Sequence, residues 1–433
     1  MTPGARAAAA IEVLADVEAR KRPAAEALKD WGLAHRFAGS SDRAAIGNLV
    51  FDALRTRLSA ATAMGEDSPR ALVLRILAAS WHMSPEAVAA IIDGNRHAPP
   101  PLTEEERASL ERELPEDTAP HIKGDYPEWL QSEFARAFGD RAAAEGAALA
   151  RRAPVDLRVN TLKADRDKVL KALRRFDAQA APLSPFGVRI EHGPGPAKSP
   201  NVEAEPGHGK GWFEVQDEGS QLATLLSGVH SRQQVIDLCA GAGGKTLALA
   251  ALMENTGQLY AYDADRMRLR PIFERLKRAG VRNAHVLLAG DREALAKLDG
   301  RLDLVLIDAP CSGSGVWRRR PDAKWRLSPQ MLEARHAEQI AVLDQGAPLV
   351  KPGGRLAYIT CSVLPSENRD QVDAFLARHP EFTLIPCSGL WKAALPGVKP
   401  IPWAAGSEET LQLTPLSHGT DGFFVAVLER STS

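Results

Sequence analysis

Apolar residues recur at helical spacing along the first 95 residues of the chain. One set is Ile11, Leu14, Ala15 and Val17, and a second is Ile46, Leu49, Val50, Leu54 and Leu58. Residues three and four positions apart share one face of a helix, so this pattern predicts an all-helical N-terminal part. Ser84 and Pro85 suit the start of one of its helices, and Gly94 suits its end.

The helical pattern weakens after this part. Pro99, Pro100 and Pro101 predict a stiff linker, and the acidic run Glu104–Glu116 predicts a solvated helix. Residues 121–230 then mix two patterns, because Val155–Asn160 predicts a strand and Asp165–Phe176 an amphipathic helix. The Gly- and Pro-rich residues 187–211 predict loops and short strands. We therefore expect a small α+β subdomain here.

From residue 234 onwards, short apolar runs alternate with amphipathic stretches. The predicted strands are Val235–Leu238, Gln258–Tyr262, Ala284–Leu288, Leu304–Ile307 and Arg355–Thr360, and the predicted helices span residues 265–279, 292–298, 329–350 and 366–378. Such alternation is typical of a parallel sheet covered by helices on both faces. The last apolar run, Gly422–Glu429, predicts a buried strand at the edge of that sheet.

Composition narrows the class of protein. Of the 433 residues, 44% are hydrophobic and 25% are charged, which excludes a fibrous or largely disordered chain. Lys plus Arg number 54 and Asp plus Glu number 55, so the net charge is −1. This excludes a uniformly basic surface but leaves room for local basic patches that bind nucleic acid.

We expect no signal peptide and no membrane span in this sequence. Glu12, Asp16 and Glu18 interrupt the alanine-rich N-terminus before a signal-peptide core, and no run of about 18 uncharged apolar residues occurs. The four cysteines, Cys239, Cys311, Cys361 and Cys387, show no CxxC spacing. We therefore expect a cytoplasmic protein with free thiols, no disulfide scaffold and no metal site.

A glycine-rich turn, Asp237–Thr246, joins the first predicted strand of the sheet to a helix. A phosphate-binding Walker A loop is excluded, because Cys239 stands where its first Gly is required. A dinucleotide fingerprint fits at Gly241 and Gly243 but fails at Thr246. Two interpretations stay open: a plain tight turn, or a site for a nucleoside-type ligand whose ribose hydroxyls bind Asp263 at the end of the next strand.

Two cysteines follow predicted strands of the sheet. Cys311 lies in Asp308-Ala-Pro-Cys-Ser-Gly-Ser-Gly and Cys361 in Thr-Cys-Ser, both at carboxyl strand ends, where open α/β sheets bind ligands. A thiolate that adds to C6 of cytosine makes C5 nucleophilic enough to accept a methyl group. Asp308 is placed to hydrogen-bond the base and stabilise this adduct. A buried, inert cysteine is the alternative for either residue.

These motifs together resemble the RNA 5-methylcytosine methyltransferases of the bacterial RsmB and eukaryotic Nop2/Sun type. The resemblance covers residues 120–430 and rests on Asp237–Thr246, Asp308–Gly313, Thr360–Ser362, Leu157–Thr161, Val215–Gln221, Pro321–Trp325 and His418–Phe424. It implies a Rossmann-like S-adenosylmethionine-dependent methyltransferase core preceded by a small α+β RNA-binding subdomain. Arg43–Val50 further resembles the all-α NusB-like domain of RsmB proteins. The implied domains are residues 1–97 (NusB-like), 98–120 (linker), 121–210 (RNA-binding subdomain) and 211–433 (catalytic domain).

The resemblance also implies the roles of individual residues. Cys361 is the implied nucleophile and Cys311 the residue that assists product release, with Asp308 and Lys245 in support. The implied S-adenosylmethionine contacts are Cys239, Ala240, Gly241, Ala242, Gly243, Gly244, Lys245, Asp263, Arg268, Asp291 and Asp308. The chain departs from the family where Gly241-Ala242 replaces the usual Ala-Pro, and the added freedom of this loop is expected to lower cofactor affinity.

Three basic stretches are candidates for RNA contact. They span residues 151–175, 266–278 and 317–326, and the third mixes Trp317, Lys324 and Trp325 with arginines directly after the Cys311 loop. Cations bind phosphates and aromatic rings stack on unpaired bases, so we predict RNA contact for the third stretch and a solvated helix face for the second. The leading hypothesis is a monomeric methyltransferase acting on small-subunit ribosomal RNA. Alternatives are a transfer-RNA methyltransferase and a non-catalytic ribosome-assembly factor.

Overall fold

The computed structural model describes residues 1–398 and 408–432, which form two compact units. The first, here the helical unit, comprises residues 1–153, 192–199 and 316–327. The second, here the sheet unit, takes residues 154–191, 200–315 and the described residues from 328 onwards. The chain therefore passes between the units several times, and the domain boundaries predicted from the sequence stay predictions.

Residues 1–95 are helical, as the apolar spacing predicts. The α-helices of the helical unit are Pro3–Arg20, Ala24–Ala34, Ser40–Arg55, Arg57–Met64, Pro69–Arg75, Pro85–Ile91, Glu104–Ser109, Pro120–Lys123, Gln131–Phe138, Ala142–Leu149 and Pro321–Arg326, with a π-helical turn at Ile76–Ser80. The hydroxyls of Thr2, Ser68 and Ser84 cap three of them, each followed by a proline in the first turn. The predicted acidic helix is shorter than expected and ends at Ser109.

The segment 316–327 completes the core of the helical unit. The Trp317 ring stacks on Phe134 with 6.0 Å between centroids, and the Trp325 indole donates to the Leu54 carbonyl at 2.6 Å. The Lys324 ammonium donates to the carbonyls of Arg55 and Asp125 at 2.6 and 2.5 Å. The prediction that this segment contacts RNA is therefore wrong for Trp317 and Lys324, which are 1% and 2% exposed.

A small antiparallel sheet opens the sheet unit. Its strands are β1 (Val155–Val159), β2 (Gln179–Ala180), β3 (Gly187–Ile190) and β4 (Phe213–Val215), in the order β2-β3-β1-β4. Helix Arg166–Leu173 packs its Val169 and Leu173 against Leu157 and Phe213 of this sheet. Strand β1 and this helix confirm the two elements predicted for this stretch.

The large sheet joins a parallel half to an antiparallel half. Its strands are β5 (Gln234–Asp237), β6 (Gln258–Ala261), β7 (Ala284–Val286), β8 (Leu302–Asp308), β9 (Val350–Thr360), β10 (Phe382–Ile385), β11 (Leu411–Leu413) and β12 (Phe423–Arg430). Their order is β10-β12-β9-β8-β5-β6-β7, and β11 pairs with β12. Strands β5 to β9 are parallel, as predicted, and β12 runs antiparallel to β9. The predicted edge position of β12 is wrong, because it lies between β9 and β10.

Helices cover this sheet. They are Glu218–Leu226, Gly244–Leu252, Arg266–Leu269, Ile272–Ala279, Arg292–Ala296, Pro329–Gly346, Arg369–Arg378, Cys387–Ala394 and Pro415–His418, and Pro206–Gly209 lies beside the small sheet. The predicted helix 265–279 is two helices, because Pro271 lacks the N–H that a continuous helix needs. Within the described ranges, no helix has the length and hydropathy of a membrane span.

The alternation of side chains along the strands builds a core on each face of the large sheet. Val235 and Leu304 belong to one buried cluster, whereas Ile236 and Val305 belong to the other. Successive residues of a strand point to opposite faces, so a run such as Leu304–Ile307 fills both cores. The carboxyl ends of β5, β6, β8 and β9 meet at one edge of the sheet, which is where the predicted site residues follow.

Candidate active site

The glycine-rich turn after β5 has the backbone that only glycine tolerates well. Gly241 and Gly243 have φ of +50° and +86°. A Cβ on Gly243 would lie 2.5 Å from Cγ1 of Ile272, whereas one on Gly244 would meet its nearest neighbour at 3.9 Å. The turn therefore packs tightly against helix Ile272–Ala279 and presents bare backbone on its open side.

Two buried carboxylates fix this turn. The Asp263 Oδ2 accepts the Gly241 N–H at 2.8 Å, and its Oδ1 accepts the Asp265 N–H at 2.8 Å. The Asp237 Oδ2 accepts the Thr246 hydroxyl at 2.7 Å. Burial raises the pKa of Asp237 to about 7, and the neighbouring Asp308 carboxylate adds to this shift. Asp263 is thus oriented by backbone N–H groups, whereas Asp237 anchors the start of the helix.

Two other predicted contacts lie farther from this centre. The exposed Arg268 guanidinium is 3.9 Å from Asp263 Oδ2, a loose ion pair. Asp291 follows β7 and caps helix Arg292–Ala296, with Oδ1 accepting the Ala294 N–H at 2.9 Å. Both residues follow strands of the same sheet edge.

Lys245 and Asp308 form an ion pair across the sheet edge. The Lys245 ammonium donates to Asp308 Oδ2 at 2.8 Å, and it also lies 5.2 Å from the centroid of the Phe423 ring. The Lys245 side chain is buried, whereas that of Asp308 is 35% exposed. The lysine therefore holds a carboxylate whose remaining surface is open to a ligand.

The two predicted reactive cysteines lie together. The sulfurs of Cys311 and Cys361 are 3.4 Å apart, because β8 and β9 are neighbouring parallel strands and each cysteine follows one of them. The contact with Cys361 and burial raise the pKa of Cys311 well above its ordinary value. Cys311 is therefore held in the thiol form, and either sulfur can donate the hydrogen bond between them.

The other two cysteines are unsuited to nucleophilic chemistry. Burial and the carboxylates of Asp237, Asp263 and Asp308 raise the pKa of Cys239 well above its ordinary value. Burial raises the pKa of Cys387 to about 12. Because the thiolate is the reactive form, both residues stay inert thiols.

One buried residue beside the two cysteines is not among the site residues that the sequence predicts. Glu367 is fully buried, and its carboxylate accepts hydrogen bonds from Ser312 and Ser362, the residues that follow the two cysteines. The only sequence signal was an acidic residue six positions after Cys361, in the strand-to-helix connection that carries this cysteine.

The site has the features that a nucleoside-type cofactor needs. Asp237 Oδ1 is buried and, among the described residues, has no hydrogen-bond partner. The open side of the glycine turn, the pre-oriented Asp263 and the half-exposed Asp308 face the region that such a ligand fills in α/β folds. No group of three or more His, Cys, Asp or Glu side chains suited to a metal occurs in the part of the chain that the structure covers.

Several cations of the basic stretches bind other groups of the protein itself. Arg275 and Arg278 bind the buried Glu214 at 3.0 and 2.6 Å, and the buried Arg158 donates to Gln216 at 2.7 Å. Arg266, Arg270 and Lys277 stay at least partly exposed on the surface after β6. The number of cations in a basic stretch therefore overstates how many of them are free to bind RNA.

Comparison with known proteins identifies the family. Residues 223–429 match the family 16S rRNA methyltransferase RsmB/F, and residues 126–195 match its ferredoxin-like domain. The probable ribosomal RNA small subunit methyltransferase B of Synechocystis is 31% identical over 317 residues, covering 71% of this chain and 67% of that protein. The corresponding Citrobacter koseri protein is 36% identical over 307 residues, 70% of this chain and 66% of that protein. Each alignment thus spans about two thirds of the relative.

Solved structures show the same fold. The crystal structure of PH0851 superposes with a TM-score of 0.73 at 26% identity and covers 99% of both chains. A methyltransferase homolog protein from Pyrococcus horikoshii gives a TM-score of 0.59 at 26% identity, over 72% of this chain and 97% of that one. The chain therefore belongs to the RsmB/F family of S-adenosylmethionine-dependent ribosomal RNA methyltransferases.

Proposed function

We propose that this protein transfers the methyl group of S-adenosylmethionine to C5 of a cytosine in small-subunit ribosomal RNA. The observation that carries the proposal is the pair of thiols 3.4 Å apart at the carboxyl ends of β8 and β9. Cytosine C5 is a poor nucleophile until a thiolate adds at C6, and release of the product requires that this bond be broken again. Two thiols at one position suit these two steps.

Cys361 is the nucleophile in this proposal. Its thiolate forms a bond to C6 and the C5–C6 electron pair moves to C5, which takes the methyl group. Loss of the C5 proton to a water molecule then returns an electron pair to the ring and breaks the bond from C6 to Cys361. Cys311 assists this step by donating its thiol proton to the departing sulfur. The Asp308 carboxylate accepts hydrogen bonds from the N4 amino group of the base and from N3 once the adduct carries a proton there, and Lys245 keeps this carboxylate in position.

The cofactor supplies an electrophilic methyl group when it is bound. In this proposal Asp263 binds the ribose hydroxyls, and the Cys239–Lys245 turn approaches the cofactor through its bare backbone. Arg268 lies at the adenosine edge, and Asp291 and Asp308 complete the contacts. The positive φ values of Gly241 and Gly243 support this role, because glycine leaves the backbone of the loop open to a ligand.

Residues 1–97 are proposed to form a NusB-like domain, and the protein to act as a monomer in the cytoplasm. The helices and buried apolar core of these residues are compatible with such a domain. A transfer-RNA substrate is the alternative within the same chemistry. A non-catalytic assembly factor is the alternative outside it, and the intact pair of thiols argues against that role.

Methylation of defined RNAs tests the proposal. The protein is incubated with labelled S-adenosylmethionine and with deproteinised small-subunit RNA, assembled small subunits or transfer RNA, and the RNA is digested to nucleosides. We expect labelled 5-methylcytidine from small-subunit RNA in one of its two forms. Label in transfer RNA alone would favour the alternative substrate, and no labelled 5-methylcytidine from any RNA would contradict the proposal.

Variants of the two cysteines test their roles. We expect Cys361→Ala to lower kcat by about 1,000-fold or more, because no other thiolate is available. Cys311→Ala should instead accumulate a covalent RNA–protein adduct that survives denaturation. Cys387→Ala is the matched control, since this buried thiol lies in the core and should leave the rate unchanged. An adduct that accumulates in Cys361→Ala would reverse the assignment.

A further inference from the structure

The buried Glu367 joins the two cysteine loops directly. Its Oε1 accepts the Ser312 N–H at 2.7 Å, and its Oε2 accepts the hydroxyls of Ser312 and Ser362, both at 2.5 Å. Gln339 donates to Oε1 at 3.1 Å. Ser312 follows Cys311 and Ser362 follows Cys361, so one carboxylate is hydrogen-bonded to the neighbour of each reactive thiol.

Further hydrogen bonds make this junction rigid. The Gly315 N–H donates to the Cys361 carbonyl at 2.9 Å, and the hydroxyls of Ser314 and Ser362 lie 2.9 Å apart. The Asn368 side chain donates to the Ser362 carbonyl at 3.0 Å. These contacts fix the Cys361 loop from three sides, whereas Glu367 is the side chain that bonds to both loops.

The charge of Glu367 has no ion-pair partner in the described part of the chain. Its hydrogen bonds come from hydroxyl, amide and backbone groups, which stabilise a carboxylate without cancelling its charge. In a buried region this charge acts over a longer range than at the surface. It disfavours a second negative charge on the neighbouring sulfurs.

We propose that Glu367 is a positioning residue that locks the Cys311 and Cys361 loops together and divides the roles of the two thiols. This inference rests on the proposed function. The geometry aligns the sulfurs through Ser312 and Ser362, and the uncancelled charge favours one thiolate in the pair rather than two. The charge of Glu367 is among the causes that raise the pKa of Cys311, after the contact with Cys361 and burial.

Two substitutions separate geometry from charge. In Glu367→Gln, the amide oxygen still accepts from Ser312 and Gln339, and the amide nitrogen donates to the two serine hydroxyls, so the loops stay joined without the charge. Glu367→Ala removes both the hydrogen bonds that join the loops and the charge. We expect Glu367→Ala to lower kcat by about 100-fold, the cost of a misplaced reacting group, with the KM for S-adenosylmethionine unchanged. Glu367→Gln should recover most of that loss near the pH optimum.

The rate of the alanine variant tests the positioning role. An unchanged kcat in Glu367→Ala would overturn that role. Glu218→Gln is the matched control, because this buried carboxylate anchors the Leu183–Ser184 loop instead.

Thiol alkylation separates this inference from the proposed function. In a Cys361→Ala background, iodoacetamide modification of Cys311 is followed against pH by mass spectrometry of the full chain, with and without Glu367→Gln. We expect the half-modification pH to fall by about one unit when the charge is removed. This readout needs neither RNA nor methyl transfer, so it tests the charge role even if cytosine is not the substrate, and equal curves would overturn that role.

Discussion

At the scale of single residues, the contact between Cys311 and Cys361 has a chemical consequence beyond methyl transfer. Their sulfurs are 3.4 Å apart, and a disulfide requires an approach of only about 1.4 Å more. An oxidant that converts one of the two sulfurs to a sulfenic acid leaves the other thiol in place to attack it with loss of water. The same proximity that suits catalysis therefore makes the pair sensitive to oxidation.

We predict that hydrogen peroxide inactivates the enzyme reversibly. Mild peroxide should abolish methyl transfer, dithiothreitol should restore it, and peptide mapping should find a Cys311–Cys361 disulfide. Cys239 and Cys387 should stay reduced, because their raised pKa values leave little thiolate. In Cys311→Ala, recovery should fail after prolonged peroxide, since no second thiol protects the sulfenic acid. Full activity of the oxidised wild type would contradict this prediction.

The meeting of these cysteines was predictable, whereas the role of Glu367 was not. Each cysteine follows an apolar strand, and parallel strands bring their carboxyl ends to one edge. Ser312 and Glu367 are 55 positions apart, and their contact depends on the course of two loops. Hydrophobic patterning specifies strands and their faces but not which polar loop residues become buried together.

At the scale of elements, the turn after β5 depends on backbone conformation. We predict that Gly243→Ala lowers the unfolding free energy by about 1–3 kcal/mol, because an L-residue at φ +86° is strained and its Cβ meets Ile272 at 2.5 Å. Affinity for S-adenosylmethionine should fall with it. Chemical denaturation and calorimetric titration measure the two effects.

Gly300→Ala provides the control for this turn. Gly300 has φ of +65°, but a Cβ at this position would meet no atom within 4 Å, so its substitution costs only the conformational part. We expect cofactor affinity to be unchanged in this variant. Equal losses of stability in the two variants would show that the contact with Ile272 carries no cost.

The sequence predicted which segments form helices and strands, but it did not always predict which strands are neighbours in the sheet. Short apolar runs and amphipathic helical patterns located β5, β6, β8 and β9 and the helices between them. The sequence of β12 indicates a buried apolar strand but not its neighbours. Its position inside the sheet depends on β10 and β11, which are short and were not predicted. Likewise, the cations of 317–326 suggested a surface, whereas burial of Trp317 and Lys324 is decided by packing within the helical unit.

At the scale of the whole molecule, the buried Lys324 makes stability depend on pH. Burial lowers the pKa of Lys324 to about 7 and raises the pKa of Asp125 to about 6. Between pH 7 and the ordinary lysine value, the folded protein binds fewer protons than the unfolded chain, so stability rises with pH. Between the ordinary aspartate value and pH 6 the folded protein binds more protons, so stability falls as pH rises.

We predict that this pair places a minimum of stability between about pH 6 and 7. From pH 7 to 9 the unfolding free energy should rise by about 2–3 kcal/mol relative to that of Lys324→Met, which has no titrating group there. Urea denaturation across this range measures the difference. Lys29→Met is the control, since this lysine is exposed in the same unit. Parallel pH profiles for wild type and Lys324→Met would contradict the prediction.

The division of the chain between the two units bears on how the protein is made. Ribosomal synthesis delivers residues 1–153 first, yet Trp317 and Lys324 of the same unit emerge only after β1 to β8. The helices that are made first therefore lack Lys324 as the partner of the groups around Asp125. They stay in this state while a parallel sheet of high contact order begins to form. A nascent chain in this condition exposes apolar surface that the finished protein buries, and such surface promotes aggregation unless chaperones cover it.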